Sequence, residues 1–370
     1  MKNIFLSILC MLCLFSNAQS PYLLIGTYDS PKSEGIYVYS FNQKDGSAKE
    51  VSHIKTSNPS FITISPNKKQ VYAVNENSNN NGKGGTVSSF EFDKINGTLK
   101  FLNSQSSEGN HPCYITINKS GKWIIAGNYS SGNFAILPVE NQGKLLKAKQ
   151  IVQHRGKGPD STRQKSPHVH AAVLSNDNKK LFVTDLGTDK IMCYDFDEKK
   201  GTVKPSLQKF VSAKAGSGPR HMEISTNGKY IYLVNELTGS VSVYAYKDNV
   251  LKLTQTISAL PQTYTGAAGS ADIHISPDGK FLYVSNRAAS NTIAIFLINQ
   301  NNGEVNLIAH QPTLGLTPRN FNFDPSGKFL LVANQNSDEI VIFKRDFNTG
   351  LLTDTGNRIS VGKPVCIKWI

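Results

Sequence analysis

Apolar and polar residues alternate along this chain in short runs, and the runs come in pairs. The stretch from Pro59 to Glu76, PSFITISPNKKQVYAVNE, shows the pattern: an alternating segment, a polar turn containing Lys, then a more continuously apolar segment ending in Asn. Period-two alternation rich in Val, Ile, Phe and Tyr predicts strands, and a short polar turn between two such runs predicts an antiparallel hairpin. A third alternating run follows each pair, as in Thr86 to Phe92, Asn133 to Val139, Lys190 to Phe196, Ser240 to Tyr246, Thr292 to Ile298 and Glu339 to Lys344. A fourth, weaker run follows a Gly-containing turn. No stretch carries a helical period, so the chain is expected to be all-β.

The pattern is a repeat. Its anchors are Pro59, Pro112, Val169, Pro219, Ser270 and Pro318, and a seventh start at Pro364 breaks off at Ile370. The spacings are 53, 57, 50, 51, 48 and 46 residues, which suit four short strands per unit. The strand from Tyr22 to Tyr28 lacks a partner before it, and the broken seventh unit lacks one after it. Joining the two completes a seventh sheet and closes a ring, which removes the exposed edges of an open array. The expected fold is a seven-bladed β-propeller with four antiparallel strands per blade. An open solenoid would need polar capping repeats, which this sequence lacks. Two β-sandwich domains would not carry one period through the whole chain.

The first residues stand outside the repeat. Lys2, an apolar run from Ile4 to Phe15, and small residues at Ser16 and Ala18 ahead of Gln19 have the anatomy of a secretory signal peptide over residues 1–18. The run is shorter than the roughly 20 residues that span a bilayer, so no membrane insertion is expected after cleavage. Cys10 and Cys13 fall inside it. Residues 19–370 then form the propeller domain, exported to the periplasm or secreted. Cys113, Cys193 and Cys366 are too sparse for a disulfide framework or a zinc site. With 39% hydrophobic and 18% charged residues the chain is an ordinary globular one, and disorder is excluded. Lys and Arg number 40 against 27 Asp and Glu, a net charge of +13 that favours small anionic partners. The lysines are scattered through turns and form no basic helix, so nucleic acid is not expected. A P-loop, G-x-G-x-x-G, G-x-S-x-G and H-E-x-x-H are all missing, which leaves no cofactor and no metal to expect.

Propeller topology turns the repeat into a site. In each unit the first strand crosses the disc and the second returns, so residues that start the first strand meet residues that end the second on one face. The start positions are Ser60, Cys113, His170, Arg220, Ala271, Arg319 and Val365. The end positions are Glu76, Tyr129, Leu186, Glu236, Arg287, Gln335 and, in the split unit, Thr27. A structural repeat needs none of these to be ionisable, yet His170, Arg220, Glu236, Arg287, Arg319 and Glu76 are. Arg220 and Glu236 fall on adjacent strands of one unit, where an ion pair would orient both. Three arginines on one face suit a carboxylate or phosphate held through bidentate forks. The long connection from His154 to His170 crosses the same face and brings Arg163 and His168 with it. His168 and His170, two apart, project to one side if extended, but no third ligand stands at a fixed spacing from them. His221, Glu223, His274 and Asn322 alternate to the other side of the first strands, toward the channel or the neighbouring blade. Trp123 and Trp369 sit inside strands as core.

Several of these stretches resemble one family. They are Gly26 to Tyr28 with Gly35 to Phe41, His154 to Pro159 with Arg163 to His170, Thr184 to Ile191, Gly218 to His221 with Leu233 to Leu237, Val284 to Arg287, Thr317 to Asn320, and Pro364 to Trp369. Together they resemble the seven-bladed propeller lactonases of the 6-phosphogluconolactonase type, which are similar to the fungal carboxy-muconate cycloisomerases. The resemblance implies a cleft with a His, two Arg and a Glu, which carries over to His170, Arg220, Arg287 and Glu236. The signal peptide departs from a cytosolic sugar-phosphate lactone and points to a non-phosphorylated aldonolactone or related cyclic ester.

The expected activity is therefore hydrolysis of a small anionic or polyhydroxy lactone without a metal. His170 or Glu236 would activate water, Arg220 and Arg287 would stabilise the oxyanion, and His168, Arg163, Arg319, Glu76 and Tyr129 would bind the substrate. Two alternatives stay open on sequence: a lactonising cycloisomerase of muconate-like diacids, and a non-enzymatic exported propeller that binds a metabolite, glycan or protein.

Overall fold

The computed structural model describes residues 20–370, so residues 1–18, expected to be a signal peptide, lie outside the described residues. Seven four-stranded antiparallel sheets stand radially around a channel. The innermost strand of each is the first of its repeat: Ile62–Ile64, Pro112–Ile117, Val169–Leu174, Pro219–Ile224, Ser270–Ile275, Pro318–Phe323 and the C-terminal Pro364–Trp369. The last pairs with Tyr22–Thr27 in the register Leu23↔Trp369, Ile25↔Ile367 and Gly26↔Cys366, which closes the ring as the split repeat predicts. The only helix among the described residues is a 3₁₀ turn, Gln335–Ser337.

The core lies between blades. Second strands are buried on both faces, as in Phe329–Asn334, where all six residues are buried, so they read as continuous apolar runs. Outer strands such as Ala48–Lys55 alternate and stay largely exposed, which explains their weaker signal. At the closure, Leu23, Ile25 and Phe41 pack on Phe329, Leu331, Ile340 and Ile342 of the adjoining blade. Trp369 adds an edge contact to Phe41, at 5.0 Å between ring centroids. Trp123 is buried and its indole N–H donates to the Glu198 carbonyl of the next blade at 2.8 Å. Both tryptophans are structural, as their positions inside strands suggest.

The recurring Asn at the end of the second strand is also structural. The amides of Asn75, Asn128, Asn286 and Asn334 donate to the carbonyls of Ser57, Ser107, Ala259 and Thr313, tying each blade to the segment that leaves the one before it. A buried carbonyl must find a donor, so this position keeps a side-chain amide in five of the seven blades. The third copy has Asp185 instead. Its Oδ1 accepts from the His168 backbone N–H at 2.8 Å and its Oδ2 faces His154 Nδ1 at 2.9 Å, so one carboxylate pins both ends of the long connection.

Candidate active site

The start positions owe their direction to a repeated irregularity. In six blades the ladder between the first and second strands slips immediately after its first pair. Val169 opposes Asp185 and Ala171 opposes Thr184, which leaves His170 unpaired. Cys113 and Arg319 are skipped in the same way, and Arg220 with His221 in a two-residue version. A bulge re-aims a side chain at the end of a strand. Here it turns the start positions into the mouth of the channel, where the end positions arrive from the returning strands.

Glu236 is the hub. Its Oε2 accepts from Arg220 Nε at 3.0 Å and from Arg287 Nη2 at 3.0 Å, and its Oε1 accepts from Arg163 Nη2 at 2.7 Å. Arg220 is further held by donating to the Ala271 carbonyl, and Arg287 Nε donates to Gly269 O at 2.9 Å. Burial alone would raise the Glu236 carboxyl, but the guanidiniums of Arg287, Arg220 and Arg163 outweigh it and hold it down at about 2. Burial pulls Arg287 down to about 10 in spite of Glu236.

A second cluster stands across the mouth. Tyr28 donates to Glu76 Oε2 at 2.7 Å, Arg319 Nη2 lies 3.9 Å from the same oxygen, and the Arg319 guanidinium covers the Tyr28 ring at 5.2 Å. Burial lowers Arg319, yet the proximity of Tyr28 and Glu76 raises it overall, so it stays charged. Burial pushes the Tyr28 phenol up.

His170 sits between the clusters, 4% exposed. Burial lowers its pKa well below 6.5, and the charge of Arg220 adds to the effect, so the ring is neutral at pH 7. Cys113 Sγ lies 3.8 Å from its Nδ1, and among the described residues nothing hydrogen-bonds to its Nε2. The ring of Tyr129 meets His170 edge-on at 5.5 Å and stacks on His168 at 4.4 Å with 8° between planes, so both histidines do face one side. The Tyr129 hydroxyl accepts from Arg163 at 3.3 Å. All nine residues expected from sequence, His170, Glu236, Arg220, Arg287, His168, Arg163, Arg319, Glu76 and Tyr129, gather in this one region.

One end position needs correction. Thr27 is buried and its hydroxyl donates to Gly35 O at 2.8 Å, whereas Tyr28 reaches the site. Thr27 opposes Pro364 as Asn235 opposes Pro219, so Thr27 takes the place of the recurring Asn and the end position falls one residue later. Aligning the split unit on its Pro364 anchor would have found it. Cys113 was legible as a start position, but its contact with His170 was not.

Below the mouth, His221 Nδ1 faces Asp272 Oδ1 at 2.7 Å, His274 Nε2 faces Asp272 Oδ2 at 3.1 Å, and His274 Nδ1 faces Glu223 Oε2 at 3.0 Å. The Asn322 amide donates to Ile367 O at 3.0 Å. These residues line the channel or join blades, as their alternation implied. The arrangement is a hydrogen-bonded His221–Asp272–His274–Glu223 chain, and no group of three or more His, Cys, Asp or Glu suited to a metal ion occurs among the described residues. A large concavity lined by Tyr22, Lys69, Phe92, Ile95 and Trp369 lies toward the opposite ends of the inner hairpins and contains none of the site residues.

Residues 22–369 match the model of the seven-bladed β-propeller lactonase family. A protein of Formosa agariphila named 6-phosphogluconolactonase is 42% identical over 336 residues, covering 89% of this chain and 94% of its own length. One of the same name from Bacillus subtilis is 33% identical, covering 94% and 97%. Among solved structures, the periplasmic gluconolactonase of Pseudomonas aeruginosa superposes with a TM-score of 0.90 at 36% identity, over 95% of this chain and 99% of its own. A Bacteroides fragilis structure superposes with a TM-score of 0.91 at 40% identity, over 96% and 99%. With the family's model matched along the whole ring and relatives above 30% identity covering most of it, the chain belongs to the seven-bladed β-propeller lactonases.

Proposed function

We propose that this protein hydrolyses an aldonolactone to its hydroxy acid, with His170 as the general base. The observation that carries the assignment is the division of labour around Glu236. Its carboxylate is engaged by three guanidiniums and held at about 2, so it is a poor base near neutrality and serves to fix Arg220 and Arg287 in place. His170 is neutral and its Nε2 is uncommitted, so it is free to take a proton from water, although burial and the charge of Arg220 weaken it as a base.

In the proposed reaction, water attacks the lactone carbonyl carbon as its proton passes to His170 Nε2. Negative charge gathers on the carbonyl oxygen beside Arg220 and Arg287, whose fixed donors need no reorganisation. The ring C–O bond then breaks, and His170 returns the proton to the departing alkoxide. Four guanidiniums against two carboxylates leave the mouth net positive, which favours an anionic or developing anionic ligand. Arg163, Arg319, Glu76, His168 and Tyr129 would bind the sugar hydroxyls.

The name of the Pseudomonas aeruginosa relative and the signal-peptide anatomy of residues 1–18 together support export and a non-phosphorylated aldonolactone such as glucono-1,5-lactone. No metal is needed by this route. The test is pH-stat hydrolysis by residues 19–370 with EDTA present, on glucono-1,5-lactone, its 6-phosphate and a muconolactone, each corrected for spontaneous opening. The expected result is turnover of the unphosphorylated sugar lactone that falls at least about 10²-fold in His170→Ala. Turnover unchanged in that variant would remove His170 from the chemistry. Turnover confined to the phosphorylated lactone would overturn the substrate assignment.

A further inference from the structure

Arg163 differs from every other charged residue of the mouth. Arg220, Arg287 and Arg319 arrive from blade strands or directly after them, whereas Arg163 comes from the long connection and its side chain is 45% exposed. Its neighbour Gln164 is fully buried. The Gln164 amide donates to the Leu186 carbonyl and to Asp189 Oδ1, each at 2.8 Å, and its Oε1 accepts from the Asp160 N–H at 3.1 Å. The connection wraps around this amide: Gly158 N–H donates to Gln164 O at 3.0 Å, and a Cβ on Gly158 would stand 2.5 Å from the Gln164 side chain. A larger residue at 158 would have to displace the Gln164 amide.

Asp189 does a second job. Its Oδ1 also accepts from the Gly218 N–H at 2.9 Å and its Oδ2 from the Gly216 N–H at 2.7 Å, in the segment that leads into Arg220. One carboxylate thus ties the loop bearing Arg163 to the strand entry bearing Arg220, and both arginines meet on Glu236. None of these bonds involves a group that would touch a ligand.

We propose that Gln164 and Asp189 are positioning residues that hold Arg163 over Glu236, making the connection a clasped wall of the site that sets substrate retention and leaves the chemical step to the blades. The inference rests on the lactonase reading for its kinetic arm only. Without the clasp, the segment around Arg163 keeps few ties to the blades, and Arg163 must be ordered anew by each ligand.

The experiment compares Gln164→Ala, Asp189→Asn, Arg163→Ala and the Gln164→Ala, Arg163→Ala double variant of residues 19–370. Asp189→Asn is the fallback should Gln164→Ala fail to fold, since Asn tolerates the left-handed backbone at this position (φ 54°). The expected result is a KM about tenfold higher in each single variant with kcat within about threefold, and a double variant no worse than Arg163→Ala, because both changes remove one contribution. Limited trypsin cleavage after Arg163 and Lys165, which needs no turnover, should be at least about tenfold faster in Gln164→Ala at unchanged global stability. Additive KM effects, or a cleavage rate equal to that of the unmodified protein, would overturn the proposal. If the unmodified protein opens no lactone, the functional reading falls and the cleavage arm still decides the clasp.

Discussion

Replacing Glu236 by Gln keeps the shape of the hub and removes its charge. Arg220 and Arg287 have side chains only 2% and 16% exposed, and Glu236 is the acid each of them contacts. The amide retains one acceptor oxygen and turns an NH₂ toward a guanidinium that already donates. Removing one member of a buried ion pair costs about 3–5 kcal/mol, because the partner charge remains buried without compensation. Against a total stability of about 5–15 kcal/mol this is a large fraction. At about 2–3 °C per kcal/mol for a chain of this size, the melting temperature should fall by about 10 °C. Raising the salt should restore little of it, since a buried cluster is poorly screened. The carboxyl is held at about 2 in the folded state against an ordinary 4.5. Its stabilisation is therefore present above pH 4.5 and lost as pH falls through about 2, so the difference between the two proteins should persist at pH 5. Activity should fall as well, by about 10²-fold or more in kcat/KM, because Arg220 and Arg287, the proposed oxyanion donors, are no longer fixed. Thermal melts at two salt concentrations with parallel pH-stat rates make the measurement. A shift under about 2 °C together with kcat/KM within threefold would show that the arginines are held without Glu236, and the hub account would be wrong.

Four further outcomes follow from the same geometry. Ile367 is fully buried at the ring closure and its N–H donates to Asn320 at 2.7 Å, so Ile367→Ala should cost about 2–5 kcal/mol in urea unfolding. Deleting Pro364 to Ile370 should abolish the cooperative transition, and an unchanged midpoint in the truncated chain would sink the closure argument. Burial holds His221 neutral with a value of about 4 against 6.5 unfolded, so stability should decline as pH drops from 6.5 toward 4, by up to about 3 kcal/mol. For His274, burial opposes but Asp272 and Glu223 raise it to about 10, so its contribution is complete below 6.5 and lost as pH rises through about 10. Melting temperature against pH, with His221→Gln flattening the acid limb, checks both signs. Burial pushes the Cys113 thiol far up, so it is no nucleophile: Cys113→Ala should keep kcat within about threefold, and a loss comparable to that of His170→Ala would contradict this.

The repeat was legible because a blade is a local object. Each hairpin is written in some eighteen consecutive residues, and the period of the anchors sets the number of blades and the closing pair without reference to anything distant. The start and end rule also brought Arg220, Glu236, Arg287, Arg319, Glu76 and His170 to one face, since topology alone decides at which end of a strand a residue lies. The N–H and C=O groups that slip at each bulge leave no such trace, because a one-residue irregularity barely disturbs the alternation of a six-residue strand. Those slips decide that His170 and Arg319 point into the mouth. Tyr28 was missed for a related reason: Thr27 replaces the recurring Asn in the split blade, and only its pairing with Pro364 shows the offset. The charge states were beyond sequence altogether. Glu236 is an anchored anion and His170 a neutral ring because of which guanidiniums surround them and how deeply they are buried. Gln164 and Asp189 lie in stretches that carry the family resemblance, yet nothing in those stretches marks their part, since a clasp is defined by the two segments it joins. Local alternation encodes the blades; the chemistry depends on side chains from most of the ring meeting at one mouth, and only the assembled tertiary structure sets their distances and dielectric surroundings.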